Sequence, residues 1–331
     1  MTISFRGWLS ESVSHLRDGD RDFLARAVRP AYYLWVGSFL TYSHWQTYGT
    51  NVFDREWDVL LVLDTCRIDA MEAVADEYEF IGDVDSITSV GSTSFEWMDH
   101  TFTTDYMGAV RETAYLSQNS FTDKVPGGGY TGQVPIPFGP SEYPTVERED
   151  FGYLEELWRA EFDTDSEWAL SSDVVTRVHP RYATQRAIRA GRELDTDRLM
   201  VHYMYPHDPY PTAPEKLQPR FDDALKDGTA TREEVREAYL DNLRIVLDEV
   251  AVLLENIDAE KVVLTADHGE AFGEWNFYRH PVACPLPCVR EVPWVETTAN
   301  DTGTVEPTAP APQTTDTTSS VEDRLEQLGY R

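Results

Sequence analysis

The chain has 331 residues, 41% hydrophobic and 12% aromatic, enough for one large α/β domain with appendages or two small domains, and too apolar for a disordered protein. It carries 59 acidic against 28 basic residues, a net charge of -31, and only four of the basic residues are lysines (Lys124, Lys216, Lys226 and Lys261). Such a surface repels nucleic acid and, unless salt screens it, repels itself; it excludes a nucleic-acid partner and points to a salt-rich cell.

Residues 1–50 read as a helical extension of mixed polarity. Residues 1–17 contain no apolar segment of a secretory signal. The three cysteines, Cys66, Cys284 and Cys288, cannot all pair within one chain. Both features lead to the expectation of a reducing cytoplasm. The aromatic stretch 31–42 is too short to span a bilayer. It reads as a core helix or an interfacial one, and is compatible with peripheral attachment to a membrane.

Next comes Trp57-Asp58-Val59-Leu60-Leu61-Val62-Leu63-Asp64, an apolar run ending in a carboxylate, as in a parallel strand buried on both faces. A helix is expected over 68–78. A strand signal at 87–90 runs into Gly91-Ser92-Thr93-Ser94 and a helical Phe95-Glu96-Trp97-Met98. Residues 122–150, with Gly127-Gly128-Gly129, read as a long surface excursion. A helix is expected over 182–194, and a strand over 198–205 leading into Pro206-His207-Asp208-Pro209-Tyr210. A helix over 232–257 and a strand over 261–266 follow, the latter ending in Asp267-His268-Gly269-Glu270. Strands alternating with helices predict a mostly parallel central sheet flanked by helices, an α/β fold, over residues 51–296. The Thr-, Pro- and Asp-rich stretch from 297 reads as a disordered acidic linker, with a short terminal helix over 321–330.

Three of these strands deliver polar, metal-capable residues at their carboxyl ends: Asp64, His207, and Asp267 with His268. Ligands of open parallel sheets bind beyond those ends. Carboxylates and an imidazole hold a divalent cation, and a cation beside a hydroxyl makes it a nucleophile.

Leu63-Asp64-Thr65-Cys66-Arg67-Ile68-Asp69 resembles the opening strand motif of the alkaline phosphatase/sulfatase-like superfamily. Ala266-Asp267-His268-Gly269-Glu270, with Gly273-Glu274 and His280, resembles its late metal-binding motif, and Tyr205-Pro206-His207-Asp208-Pro209-Tyr210 is similar to its substrate-binding segment. The resemblance implies an alkaline-phosphatase-like fold and a hydrolase or transferase acting on a phosphate or sulfate ester. It implies that Asp64, Asp267 and His268 are metal ligands, that His207 and His280 contact the transferred group, and that Arg67 is a positive contact. Ser94 is the implied nucleophile, its hydroxyl also on the metal, with Thr93 second and Ser92 third. The implied cofactor is a divalent ion: Mg, Mn or Ca, with Zn open through His268.

Two departures narrow this. No Cys or Ser lies in the context needed for conversion to formylglycine, which argues against an ordinary sulfatase. The Asp-x-x-x-His pair of two-metal phosphatases does not occur, which favours one metal, as in phosphoglycerol and phosphoethanolamine transferases, or a second site with another signature. Two other classes stay open: a transferase of cell-surface glycan or lipid synthesis, and a non-catalytic metal- or oxyanion-binding protein. Set against this are blander readings. Asp64 could cap a helix, serines in turns bond their own backbone, and Arg67 could form a surface ion pair. His15, His44, His100, His179 and His202 read as structural. Cys284 and Cys288 have no second cysteine pair to complete a zinc site.

Overall fold

The computed structural model describes residues 2–17, 23–125, 135–140, 143–218 and 220–312. Two helices open the chain, α1 (Phe5–Arg17) and α2 (Phe23–Trp45). Then come β1 (Val59–Leu63), α3 (Ile68–Val74), β2 (Asp85–Thr88), α4 (Ser94–Thr101), β3 (Thr113–Ser117) and β4 (Tyr153–Glu156). They are followed by α5 (Pro180–Glu193), β5 (Arg198–Tyr203), α6 (Arg232–Leu254), β6 (Ala259–Thr265) and β7 (Glu291–Ala299).

The seven strands form one sheet in the order β2-β7-β6-β1-β5-β3-β4. The five strands β6, β1, β5, β3 and β4 are mutually parallel, and β7 and β2 extend one edge antiparallel. Every residue of β1 is buried, because a central parallel strand is covered by helices on both faces. Val59 to Leu63 therefore carries no polar alternation, and Asp64 follows directly, its backbone N–H still donating to the Tyr203 carbonyl at 3.0 Å. The carboxyl ends of β6, β1 and β5 lie side by side, so Asp267, Asp64 and the segment after Tyr203 meet at one edge. α6 opens with a reciprocal cap, in which Thr231 and Glu234 each satisfy the other's backbone N–H.

Several boundaries differ from the sequence reading. The first helix after β1 stops at Val74 and tightens into a 3-10 turn, Ala75–Glu77. The antiparallel strand β7 runs through the expected start of the disordered tail. Beyond it, residues 300–312 pack along α5. Arg192 pairs with Asp301 at 2.7 Å, and Arg192, Arg189, Arg186 and Tyr182 donate to the carbonyls of Val305, Pro307, Ala309 and Pro310. Composition read the Thr and Pro residues as solvated, whereas arginines on a helix face satisfy this segment's carbonyls. The expected helix over 321–330 lies outside the described residues.

α2 packs Val36 and Leu40 against Ile136 and Ala283. Trp35 Nε1 donates to the Ala283 carbonyl at 2.8 Å, and the Tyr32 hydroxyl donates to that of Val282. The aromatic stretch is thus half core, half surface: Leu34, Trp35 and Tyr42 are exposed.

Candidate metal centre

The residues around Asp64 are held in a strained backbone. Thr65 has φ 67°, and Trp275, Asn276, Arg279 and Ala283 are the other non-glycine residues with positive φ among those described. All belong to segments that carry candidate site residues, where such strain persists only when surrounding contacts enforce it. For Thr65 the enforcing contact comes from α6: the Tyr239 hydroxyl donates to Thr65 O at 2.7 Å and accepts from Arg67 N at 2.9 Å. Gly269 leaves room for the closing loop, since a Cβ there would lie 2.2 Å from the Cys288 carbonyl oxygen.

Asp267 accepts two backbone N–H groups on Oδ1, from Thr65 at 3.2 Å and His268 at 2.9 Å, and its Oδ2 turns inward. Asn119, just past β3, donates to Asp64 Oδ2 at 2.9 Å. His202, the fifth residue of β5, points Nε2 to within 3.7 Å of Asp64 Oδ2 and 3.6 Å of Asp267 Oδ2. Nδ1 of His268 lies 2.9 Å from the Gly269 carbonyl. That oxygen only accepts, so the proton sits on Nδ1 and the Nε2 lone pair faces the cluster. Ser94 Oγ stands 3.3 Å from Asp64 Oδ2 and 3.4 Å from His268 Nε2.

A second group adjoins the first. His207 and His280 face each other through Nε2 at 3.1 Å, and His280 stacks on His268 with ring centroids 4.5 Å apart. The His207 Nδ1 proton is held by the Asp208 carbonyl. His207, Glu270 and His280 form one set of buried potential ligand atoms, and Asp64, His202 and Asp267 form another.

The electrostatics suit cations. Asp64 Oδ1, Asp267 Oδ2, His202 Nε2 and both oxygens of Glu270 are buried with no hydrogen-bond partner among the described residues. Burying unpaired carboxylates costs several kcal/mol each unless a counter-charge joins them. Burial, reinforced by Asp267, pushes the Asp64 carboxyl well above the usual range. Burial would raise Asp267 too, but His268 and His202 outweigh it and hold it low. Burial raises Glu270 strongly, with Arg279 opposing in part. Burial lowers all three histidines of the inner rim, His207 to about 4 and His268 and His280 likewise below the usual value. They are neutral near pH 7, the form that ligates metal.

The three hydroxyl candidates have different environments. Thr93 is the N-cap of α4, accepting from Glu96 N at 3.2 Å. Ser92 donates to Glu96 Oε2 at 2.5 Å and accepts from Cys284 N at 3.1 Å. Ser94, first residue of α4, is the one that faces the carboxylates. Arg67 borders the cluster without facing its ligand atoms: it makes a two-pronged contact with Asp69, at 2.8 and 2.7 Å, pairs with Glu274 at 2.8 Å and donates to the Glu270 carbonyl at 2.9 Å. Cys284 and Cys288 are free thiols outside both ligand groups.

His202, Asn119 and Glu270 were not singled out as site residues from the sequence. His202 had a signal, a histidine inside an otherwise apolar strand buried on both faces, which has to find a partner. Asn119 had none, because an Asn after a strand reads as a turn, and its Oδ1 does accept from Phe121 N at 3.0 Å.

No protein-family model and no curated protein matches the chain. Among solved structures it is similar to the soluble domain of lipooligosaccharide phosphoethanolamine transferase A from Neisseria meningitidis, at 16% identity and TM-score 0.49, over 73% of this chain and 76% of that one. It is similar to the C-terminal periplasmic domain of EptC from Escherichia coli in complex with zinc, at 12% identity and TM-score 0.41, over 77% and 76%. It is also similar to a Bacteroides thetaiotaomicron protein described as a sulfatase, at 10% identity and TM-score 0.42, over 82% and 70%. At these identities the likeness is one of fold alone. It corrects one expectation: a periplasmic domain among these neighbours points away from the cytoplasm, and the cytoplasmic location is withdrawn. No helix of the described residues is long and apolar enough to cross a membrane.

Proposed function

We propose that this chain is a metal-dependent hydrolase or transferase of phosphate or sulfate esters that works through Ser94. The observation that supports this most is the set of orphaned carboxylate oxygens of Asp64 and Asp267 beside a serine hydroxyl at a helix N-terminus. Asp64, Asp267 and His268 would hold one divalent cation, with His202 completing the donor set; His207, Glu270 and His280 could hold a second. A bound cation would lower the pKa of the serine hydroxyl and offset charge on the transferred group. Mixed carboxylate and imidazole donors suit Mn or Zn as well as Mg.

In this reading Ser94 Oγ gives up its proton and bonds to phosphorus or sulfur as the bond to the ester oxygen breaks. The departing alcohol takes up a proton. Water or an acceptor alcohol then cleaves the serine ester. The N-terminus of α4 turns backbone dipole toward the incoming anion. Asn119 and the Asp267 backbone contacts fix the two carboxylates so that little reorganisation is needed.

Peripheral membrane association and an acceptor in a surface glycan or lipid belong to the same reading. Phe5, Leu9, Leu34, Trp35, Tyr42 and Trp45 are exposed on α1 and α2. Residues 1–50 hold five arginines against four acidic residues, while the rest of the chain holds 23 basic against 55 acidic. An aromatic, weakly charged face on an otherwise acidic protein is the part a lipid interface would accept.

The test is to incubate the Mn- or Zn-loaded protein with p-nitrophenyl phosphate, quench in acid and map peptides by mass spectrometry. Phosphate on Ser94 is expected. Turnover with no modification there, or modification of Thr93 instead, would refute the assignment.

A further inference from the structure

A cavity of about 380 Å³ lies beside the metal centre. The centre sits beyond the carboxyl ends of β6, β1 and β5. The cavity sits beyond β5, β3 and β4, the next strands along the same edge. Its walls share segments with the centre. Gln118 and Ser120 line it and flank Asn119, which holds Asp64. Met204 and Pro209 line it and bracket His207. Arg177 ties the two together, donating to the carbonyls of Met204, His207 and Pro209 at 2.6, 2.5 and 2.8 Å while lying over the Tyr205 ring.

The lining describes an occupant. Leu157, Phe162, Val175 and Val178 give it an apolar body. Two buried polar atoms lack a hydrogen-bond partner among the described residues: Nε2 of Gln118 and Oγ of Ser120, in residues 5% and 1% exposed. A purely hydrocarbon occupant would leave both unpaired. Arg177 is the only basic residue of the lining, and its guanidinium is committed to three carbonyls, so nothing there neutralises a second anion. The volume falls within the roughly 300–1,000 Å³ of small-molecule sites.

We propose that this cavity is the subsite for the organic half of the ester and takes a hydroxylated, non-anionic group of sugar-ring size. The inference rests on the ester chemistry proposed above, and the experiment separates the two. Binding of methyl α-glucopyranoside to the metal-loaded protein is followed by saturation-transfer NMR, and kcat/KM is measured for methyl phosphate, butyl phosphate and an α-glucosyl phosphate. Three forms are compared: wild type, Ser120→Ala, and Ala169→Trp, which fills the cavity from its half-buried hairpin wall (Ala169–Ser171 with Thr176–Val178). The Ser120 hydroxyl has no partner among the described residues, so its removal should leave folding intact even if the tryptophan does not.

The expected result is glucoside binding to wild type that is lost in Ala169→Trp. The ratio of kcat/KM for glucosyl over methyl phosphate should fall about tenfold in Ser120→Ala. Turnover of methyl phosphate without glucoside binding, or a ratio unchanged in both variants, would overturn the subsite. A preference for butyl over glucosyl phosphate that ignores Ser120→Ala would overturn the chemical class. Glucoside binding that Ala169→Trp abolishes, in a protein that turns over no ester, would leave the subsite standing and remove the ester chemistry.

Discussion

Thr93 and Ser94 are neighbours at the start of α4 with different surroundings, so replacing each by alanine should give opposite signatures. Thr93 Oγ1 caps the helix by accepting from Glu96 N. Losing an N-cap costs about 1 kcal/mol, which in a chain of this size lowers Tm by about 2 °C. Turnover should survive, since Ser94 Oγ and its neighbours Asp64 and His268 stay in place. Ser94→Ala removes a hydroxyl 3.3 Å from Asp64 Oδ2 and 3.4 Å from His268 Nε2 but leaves the Thr93 cap in place, so the melting curve should move less than in Thr93→Ala. Turnover should drop at least about a thousandfold, because the attacking atom is gone. The assay pairs thermal melts with phosphate release from p-nitrophenyl phosphate on metal-loaded protein. If Ser94→Ala keeps a tenth of the activity, or Thr93→Ala is the variant that loses it, the assignment of the two hydroxyls is wrong.

Asp99 is 3% exposed with Oδ1 unpartnered among the described residues, and burial, with Glu96 adding repulsion, raises its carboxyl to about 8. A folded pKa above the unfolded value means stability is full below about 4 and is lost as pH rises toward 8; Asp99→Asn should abolish that part of the alkaline loss, seen as a smaller Tm difference between pH 5 and pH 8. Deleting residues 300–331 removes the arginine-to-carbonyl contacts along α5 and should lower Tm by several degrees, whereas an unchanged melting temperature would mean those contacts contribute nothing. The net charge of -31 predicts that Tm rises with added salt up to the molar range, and a flat or falling series would contradict it.

The centre of the sheet was legible because β1, β5 and β6 are largely apolar runs, whereas β3 and β4, Thr113–Ser117 and Tyr153–Glu156, mix polar residues into short strands and were not expected. Trp57 to Leu63 could only be a buried strand, and the same rule located β5 and β6 to within two residues or so. β7 was not legible: Pro293 interrupts its apolar run and its last residues, Thr297 to Ala299, share the composition of the tail. It becomes a strand because it pairs antiparallel with β6 and β2 at once, a tertiary cause no local pattern carries. At the site, Asp64, Asp267 and His268 followed from their place after strands, and the structure brings them together. Arg67 lies at the border of the site, its guanidinium shared among Asp69, Glu274 and the Glu270 carbonyl. Glu270 and His202 were hidden by their surroundings in sequence. Glu270 read as part of a motif with no role of its own, and His202 read as a core residue until β1 and β6 placed two carboxylates against it.

Metal content decides the account most directly. The protein, stripped and reloaded with Mn or Zn, is analysed by elemental mass spectrometry as wild type, Asp64→Asn, Asp267→Asn and the double variant. Bound metal is expected in wild type, with a sharp loss in each single variant and little further loss in the double, because both carboxylates act on one ion. Thermal melts alongside should show metal raising Tm in wild type only. Full metal in both single variants, or no metal in any form, would contradict the assignment of Asp64 and Asp267 as a cation site.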